Sequence, residues 1–396
     1  MSAPKLRFKD FDEDWTAKKL SQVANLTSSK RVHLSDYVSE GIPFFRGKEI
    51  TELKSGIFPK DILYISKKQY EDFKEKFGAP QNNEILMTAV GTLANTYLIN
   101  TDFEFYFKDG NLIWFKDINA DPNFLMILLD ARKNDVLASA IGSTQKALTI
   151  ANLNKLIFNF PSNEEQTKIA SFLSAVDEKI SQLTQKQQLL SQYKQGMMQK
   201  LFSQQIRFKA DDGSEFGEWE ENTLNVIAQI TMGSSPKSEN YNEHSNGLPL
   251  LQGNADIKNR RSAPRIHTSE ITKKCSIGDI LLSVRAPVGF VAISDHEACI
   301  GRGICSIQAK SNHFQSFLYQ WLLNKESSWG SLSQGSTFES VNSDQIKSLG
   351  IHIPCLEEQT KIANFLSSID QKIEVVAQQI EQAKQWKKGL LQQMFV

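Results

Sequence analysis

The chain has 396 residues, 40% apolar and 23% charged, with 45 basic and 45 acidic side chains. That length exceeds one ordinary core and gives a prior of two to three domains, while no apolar run is long enough to span a bilayer. Zero formal charge excludes the strongly basic, free-standing nucleic-acid binder, so contact with a polyanion must come from local patches or from partners.

In chain order, the opening MSAPKLRFKDFDEDW carries acids early and no apolar core, unlike a secretory signal. Within it, Leu6-Arg7-Phe8-Lys9 leads to Trp15. Short β-like runs follow, at Glu84–Val90 and Asn111–Phe115, set off by turn signals at Gly91 and Asp109-Gly110. An apolar helical stretch lies near Phe124–Leu129. The second half repeats the plan: Ile206-Arg207-Phe208-Lys209 leads to Trp219, and Gly233-Ser234-Ser235-Pro236 opens a new stretch. A strand-like run at Asp279–Val284 stands between Gly278-Asp279 and Ala286-Pro287, Gly301–Gly303 marks another turn, and Phe317–Leu323 reads as helix. Each globular part reads as mixed α+β. Cys275, Cys299, Cys305 and Cys355 form no CxxC pair and read as reduced thiols of a cytoplasmic protein.

The chain says one thing twice, 193 residues apart. Pro161–Ile180 reads PSNEEQTKIASFLSAVDEKI and Pro354–Ile373 reads PCLEEQTKIANFLSSIDQKI, identical at fourteen of twenty positions. The register extends to Gly142-Ser143-Thr144 with Gly335-Ser336-Thr337, and to Tyr193-Lys194-Gln195-Gly196 with Trp386-Lys387-Lys388-Gly389. The sequence therefore divides into globular parts at 1–160 and 207–353 and helical segments at 161–206 and 354–396.

Both helical segments carry a seam. In the first, Ile169, Leu173, Val176, Ile180, Leu183, Gln187, Leu190, Lys194, Met197 and Leu201 fall at alternating spacings of four and three. In the second, Ile362, Leu366, Ile369, Ile373, Val376, Ile380, Ala383, Lys387, Leu390 and Met394 do the same. That spacing is the heptad of a coiled coil over about four heptads. Each helix either packs only on its own globular part or pairs with the other, and the heptad period favours pairing. Pro161 and Pro354 open the helices, with Glu164-Glu165 and Glu357-Glu358 in the first turns to complement the dipole. Lys194 and Lys387 hold equivalent polar points and help fix the register.

As a set and in this order, these features resemble the specificity subunits of type I restriction-modification enzymes. The resemblance rests on the doubled block and on phrases of the second half: Ile277-Gly278-Asp279-Ile280-Leu281 running into Arg285-Ala286-Pro287-Val288-Gly289, Gly301-Arg302-Gly303, and Gly233-Ser234-Ser235-Pro236. It implies two tandem mixed α/β target recognition domains, each reading half of a bipartite double-stranded DNA site. It also implies that the two long helices form an antiparallel coiled coil with pseudo-twofold character that docks two methyltransferase subunits. S-adenosylmethionine, ATP and Mg are implied for the methyltransferase and restriction subunits, and no cofactor or metal for this chain. The first half departs from the pattern, with Val90-Gly91-Thr92 where the second has Arg285-Ala286-Pro287.

The residues themselves show no catalytic set. A methyltransferase would carry an Asn/Asp-Pro-Pro-Tyr/Phe stretch; Asp121-Pro122-Asn123-Phe124 comes nearest and lacks the second proline. There is no P-loop, and Gly301-Arg302-Gly303 lacks the third glycine of a dinucleotide fingerprint. Asp295-His296-Glu297 reads as a surface turn. The expectation is a non-catalytic chain whose task is DNA contact. Between Lys258 and Lys274 lie six basic residues and one acid, Glu270; Lys258, Arg260, Arg261 and Arg265 are candidates to neutralise phosphates, and an ordinary solvated loop is the competing reading. Arg285 and Arg302 sit beside tight turns, where a guanidinium reaches guanine O6 and N7 or makes a structural ion pair. Ser234, Ser235 and Lys237 offer hydroxyls and charge to phosphate. The first half supplies Lys30, Arg31, Arg46, Lys48 and Thr92. A coiled-coil scaffold whose heads bind proteins is the alternative; salt-dependent, sequence-selective DNA binding separates the two.

Overall fold

A computed structural model describes residues 4–329 and 340–395, which form two compact units. The first unit takes residues 1–183 and 379–396, and the second takes residues 184–378. Each long helix therefore contributes residues to both units. Gly335-Ser336-Thr337 lies outside the described residues.

The first unit contains strands β1 (Thr16–Lys19), β2 (Asn25–Thr27), β3 (Tyr37–Val38), β4 (Ile42–Phe45), β5 (Leu63–Ile65), β6 (Ile85–Thr88), β7 (Thr96–Leu98), β8 (Tyr106–Phe107), β9 (Leu112–Lys116) and β10 (Ile157–Phe160). They form a β1–β10 ribbon, a sheet ordered β2-β9-β6-β7, and a sheet ordered β3-β5-β4-β8 whose β4–β8 pair is parallel. The apolar runs seen in sequence are strands covered on both faces, which removes polar alternation. Period two then divides them: Ile85, Met87, Ile113 and Phe115 enter one core, while Leu86, Leu112 and Trp114 enter another. Asp121 caps the helix Pro122–Ala131 by accepting from Phe124 N at 2.9 Å, so the stretch nearest to a methyltransferase motif is a helix start.

The second unit contains β11 (Glu220–Thr223), β12 (Ala228–Met232), β13 (Tyr241–Asn242), β14 (Leu248–Leu251), β15 (Ile257–Lys258), β16 (Arg261–Ser262), β17 (Ile266–Thr268), β18 (Lys274–Cys275), β19 (Ile280–Ser283), β20 (Val291–Ile293), β21 (Ala298–Ile300), β22 (Ile304–Ala309) and β23 (Gly350–Ile353). These give a β11–β23 ribbon and sheets ordered β12-β22-β19-β20-β16-β15 and β13-β17-β14-β21-β18, with two parallel pairs, β14–β21 and β16–β20. Ile280, Leu282, Cys305 and Ile307 face one core; Leu281 and Ile304 face the other. The four cysteines are free, and burial pushes the Cys305 thiol up to about 12.

The long helices span Asn163–Phe202 and Leu356–Met394. In the first unit Ile169, Leu173 and Val176 share a core with Leu390, Met394 and Phe395; in the second, Met198 and Leu201 share one with Ile362, Ala363 and Leu366. Within each unit the start of one helix thus lies along the end of the other, which is antiparallel pairing. Each helix start also packs into its own sheet core, but not only there, so pairing is the alternative that holds. Leu183, Ile369, Val376 and Ile380 are buried, and Ile180, Leu190 and Ile373 are half-buried. At the end of the first seam Met198 is the buried side chain and Met197 is half-buried against the core.

The polar residues of the doubled block have matching tasks in the two units. Glu165 takes Arg7 Nε and Nη2 at 2.8 and 2.7 Å, and Glu358 takes Arg207 Nε and Nη2 at 3.1 and 2.7 Å. Gln166 donates to Pro161 O and accepts Asp121 N; Gln359 donates to Pro354 O and accepts Phe314 N. The block's aspartates meet the seam lysines, Asp177 with Lys387 at 2.5 Å and Asp370 with Lys194 at 2.7 Å. Burial pushes the Lys194 ammonium pKa down against the pull of Asp370. Among the described residues, no helix is long and apolar enough to cross a membrane.

Candidate nucleic-acid interface

In the second unit four turns converge. They follow β12, β14 and β19 and join β21 to β22. Because β14–β21 is parallel and β22 lies between β12 and β19, these chain ends emerge together. Backbone bonds stitch them: Gly233 N to Ile304 O (2.9 Å), Ser234 N to Ile300 O (2.9 Å), Gly301 N to Leu251 O (2.8 Å) and Val284 N to Gly303 O (3.0 Å). Two glycines make the approach possible. A Cβ on Gly233 would lie 2.1 Å from Gly301 O, and one on Gly303 would lie 2.2 Å from Gln252 O. The turns enclose an open cleft of 590 Å³, lined by Ser235, Tyr241, Gln252, Asn254, Arg285 and Arg302 among others.

Ser283, at the end of β19, staples the turn that carries Arg285. Its Oγ donates to Pro287 O at 2.7 Å and accepts Phe290 N at 2.9 Å. The first unit repeats the device without the sequence phrase: Thr88 Oγ1 donates to Thr92 O and accepts Asn95 N at 2.9 Å. Lys108 N to Phe45 O (2.9 Å) and Ala89 N to Asn111 O (2.8 Å) match the corresponding bonds of the second unit. By this correspondence Val90 stands where the second unit has Arg285, Asp109-Gly110 where it has Arg302, and Arg46 where it has Gln252. The turns are the same and the side chains differ.

The cleft therefore unites three sequence candidates, Ser235, Arg285 and Arg302, with Ser234 and Lys237 beside it. Ser235 Oγ accepts Arg302 N at 3.2 Å, and Ser234 O accepts Thr272 Oγ1. Lys237 Nζ is 3.9 Å from Glu239, and Glu270 accepts Lys237 N at 2.9 Å. Those hydrogen bonds from the Lys237 backbone and Asn240 hold Glu270 below the usual carboxylate range.

The basic run is less available than its composition suggests. Arg260 forks onto Glu326 at 2.6 and 2.8 Å, donates to Val291 O at 2.9 Å, and lies 5.0 Å from the Phe290 ring centre. It ties the β15–β16 hairpin to the body of the unit. Arg261 pairs with Asp295 (2.9 Å) and Arg265 with Asp256 (2.9 Å), while Lys258 is exposed. Asp295-His296-Glu297 is a turn held piecewise, with His296 Nδ1 2.7 Å from Ser262 Oγ and Glu297 2.6 Å from Lys274. In the first unit Arg31 pairs with Asp109 (3.3 Å) and Lys48 with Glu52 (3.8 Å). Lys30 Nζ lies 4.3 Å from the Phe77 ring centre, and Thr92 contributes its carbonyl to the staple. Arg46 meets Glu49 at 2.5 Å; burial alone would raise the Glu49 pKa, but hydrogen bonds from Arg46 outweigh it and hold it low.

Sequence reasoning missed Tyr241, Gln252 and Asn254, which no motif marks. It also missed the Ser283 and Thr88 staples, whose signal is a hydroxyl closing an apolar strand just ahead of a turn.

Two units that share a core strand order, the second adding β15, β16 and β18, each presenting a cluster of strand-end turns and each sharing the paired helices, have the architecture of a specificity domain doubled in one chain. The family of the type I restriction modification DNA specificity domain matches residues 12–192 and again 217–385, and the chain belongs to that family. It is 29% identical over 404 residues to the MjaX type I restriction enzyme specificity subunit, so named, of Methanocaldococcus jannaschii, covering 96% of this chain and 93% of that one. Among solved structures, the type I restriction-modification S subunit of M. genitalium superposes with a TM-score of 0.62 at 18% identity, covering 100% of this chain and 99% of that one. A chain solved in a study of complex assembly and conformational transition of the type I system gives 0.63 at 24% identity, covering 96% and 97%. Both show the same fold.

Proposed function

We propose that this chain is the sequence-reading subunit of a type I restriction-modification complex, with each unit's turn cluster reading one half of a bipartite site in double-stranded DNA. One observation carries the reading: the family match occurs twice, on two units whose equivalent turns share their backbone staples and differ in side chains. A common frame with different side chains suits two different half-sites. In this reading the paired helices set the unread gap and dock two methyltransferase subunits. A helix of 40 residues is ~60 Å long, against ~34 Å for one turn of DNA, so it can act as a ruler.

The chain does no chemistry itself under this proposal. Methylation of adenine with S-adenosylmethionine belongs to the methyltransferase subunits, and cleavage driven by ATP and Mg belongs to restriction subunits. The deciding experiment co-expresses the chain with its methyltransferase and maps methylated adenines. The expected result is one bipartite motif of fixed gap that disappears when this chain is deleted. Replacing residues 207–353 with another head should change one half of the motif; a change in both halves, or methylation indifferent to the chain, refutes the proposal.

A further inference from the structure

We infer that the second unit reads guanine, its Arg285 and Arg302 side chains forking onto O6 and N7 of G·C pairs in the half-site it recognises. The inference rests on the specificity-subunit reading above and adds the chemistry of one half-site.

Seven arginines were candidates for DNA contact. Five of them are engaged by carboxylates: Arg31 by Asp109, Arg46 by Glu49, Arg260 by Glu326, Arg261 by Asp295 and Arg265 by Asp256. Among the described residues, Arg285 and Arg302 make no ion pair, and both are exposed at the same cleft. A paired guanidinium must give up its carboxylate to meet a base; among the described residues these two have none to give up.

The rest of the lining narrows the choice of base. Among the described residues the cleft lining contains no Asp or Glu, the side chains that accept from cytosine N4. Reading adenine takes an amide offering donor and acceptor side by side. Asn254 donates to Pro287 O at 3.2 Å and its Oδ1 is buried, while Gln252 gives one of its two amide hydrogens to Tyr241 Oη at 3.0 Å and is left as the lining amide that could still meet an adenine. The free bidentate donors of the lining are thus the two guanidiniums, and two adjacent acceptors are what the guanine edge presents in the major groove.

Their mounting is stiff. Arg285 leaves a strand whose end is stapled by Ser283, and Arg302 stands between Gly301 and Gly303 with its amide on Ser235 Oγ. A fixed backbone lowers the ordering cost of a base contact. At the matching turns the first unit has Val90 and Asp109-Gly110, so the arginine reading belongs to the second unit alone.

The test uses the full-length chain in its methyltransferase complex, with wild type, R285K and R302K mapped for methylated adenine across a randomised duplex library. Lysine keeps the charge a phosphate needs and loses the fork that guanine needs. Each variant should relax one G·C position in the same half-site, discrimination there falling roughly 5- to 150-fold, with the other half and the gap unchanged. Weaker methylation at every site with all letters retained would put the arginines on phosphates and overturn the inference. Relaxation at an A·T pair, in both halves, or nowhere would overturn it too. Thermal melts of the variants separate loss of fold from loss of reading. A wild-type complex without a bipartite motif would instead remove the specificity-subunit reading, and this inference with it.

Discussion

Arg207→Met should weaken the second unit more than any comparable change on its surface. Glu358 is fully buried and accepts three hydrogen bonds, from Arg207 Nε (3.1 Å), Arg207 Nη2 (2.7 Å) and Trp219 Nε1 (3.1 Å). Methionine fills similar space but leaves a buried carboxylate with one donor. Breaking a buried pair from one side costs about 3–5 kcal/mol. Arg207 keeps 27% of its side chain exposed, so water can reach part of the void and the lower end, about 3 kcal/mol, is expected. For a unit of about 200 residues that lowers the melting temperature by about 6–12 °C. Glu358→Gln keeps the acceptor and should cost about 1–2 kcal/mol. The double variant should cost clearly less than the sum, because its glutamine no longer carries an unpaired charge. Hydrogen exchange resolved along the chain is the suitable assay, since two units need not unfold together. A loss below about 1 kcal/mol for Arg207→Met, or strict additivity in the cycle, would refute the buried-charge account.

Three further outcomes are expected. Glu49 is held below its ordinary value of 4.5, burial opposing and the Arg46 hydrogen bonds prevailing. A lowered acid stabilises above its unfolded value and loses that contribution as pH falls through the folded one. The first unit should therefore lose stability below about pH 4.5, and Glu49→Gln should flatten that slope in acid denaturation followed by circular dichroism. Gly233→Ala places a methyl 2.1–2.7 Å from three carbonyl oxygens and should cost about 1–3 kcal/mol in thermal melts, whereas Gly253→Ala, with nothing within 4 Å, should cost far less. Deleting one heptad from both long helices shortens each by ~10 Å, or about three base-pair rises. Adenine mapping should then show a gap shorter by about three pairs with both half-site sequences intact; altered half-sites at the old gap would sink the ruler.

The long helices were legible because their pattern is local, long and strictly periodic, and the chain writes it twice. The sheets were legible only as apolar fragments. Strands of two to five residues in the first unit carry little period, and pairs such as Tyr37 with Ile65 or Phe44 with Tyr106 join residues far apart in the chain. The site was half legible for the same reason. Arg260 reads as one more charge in a basic run, and its commitment to Glu326, 66 residues away, exists only in the folded chain. Arg285 and Arg302 could be named from their turns, but that they share one cleft follows from the antiparallel pairing of β19 with β22, which sets Ser283 opposite Ile304.

The repeat itself now has a physical cause. Glu165, Gln166, Glu358 and Gln359 are each at most 1% exposed, and their partners Arg7, Asp121, Arg207 and Phe314 come from the globular parts. The block is thus the joint that fastens each unit's sheets to its helix start, and a buried ionic joint tolerates little change on either side. The turn clusters answer to a different constraint. Their backbone must be held, which Ser283 and Thr88 do with the same two hydrogen bonds, while Arg285 and Arg302 are exposed and make no ion pair among the described residues. Identity at the joint and difference at the turns therefore arise together, and under the proposed function a chain built this way would acquire a new half-site by changing one cluster without disturbing its helices.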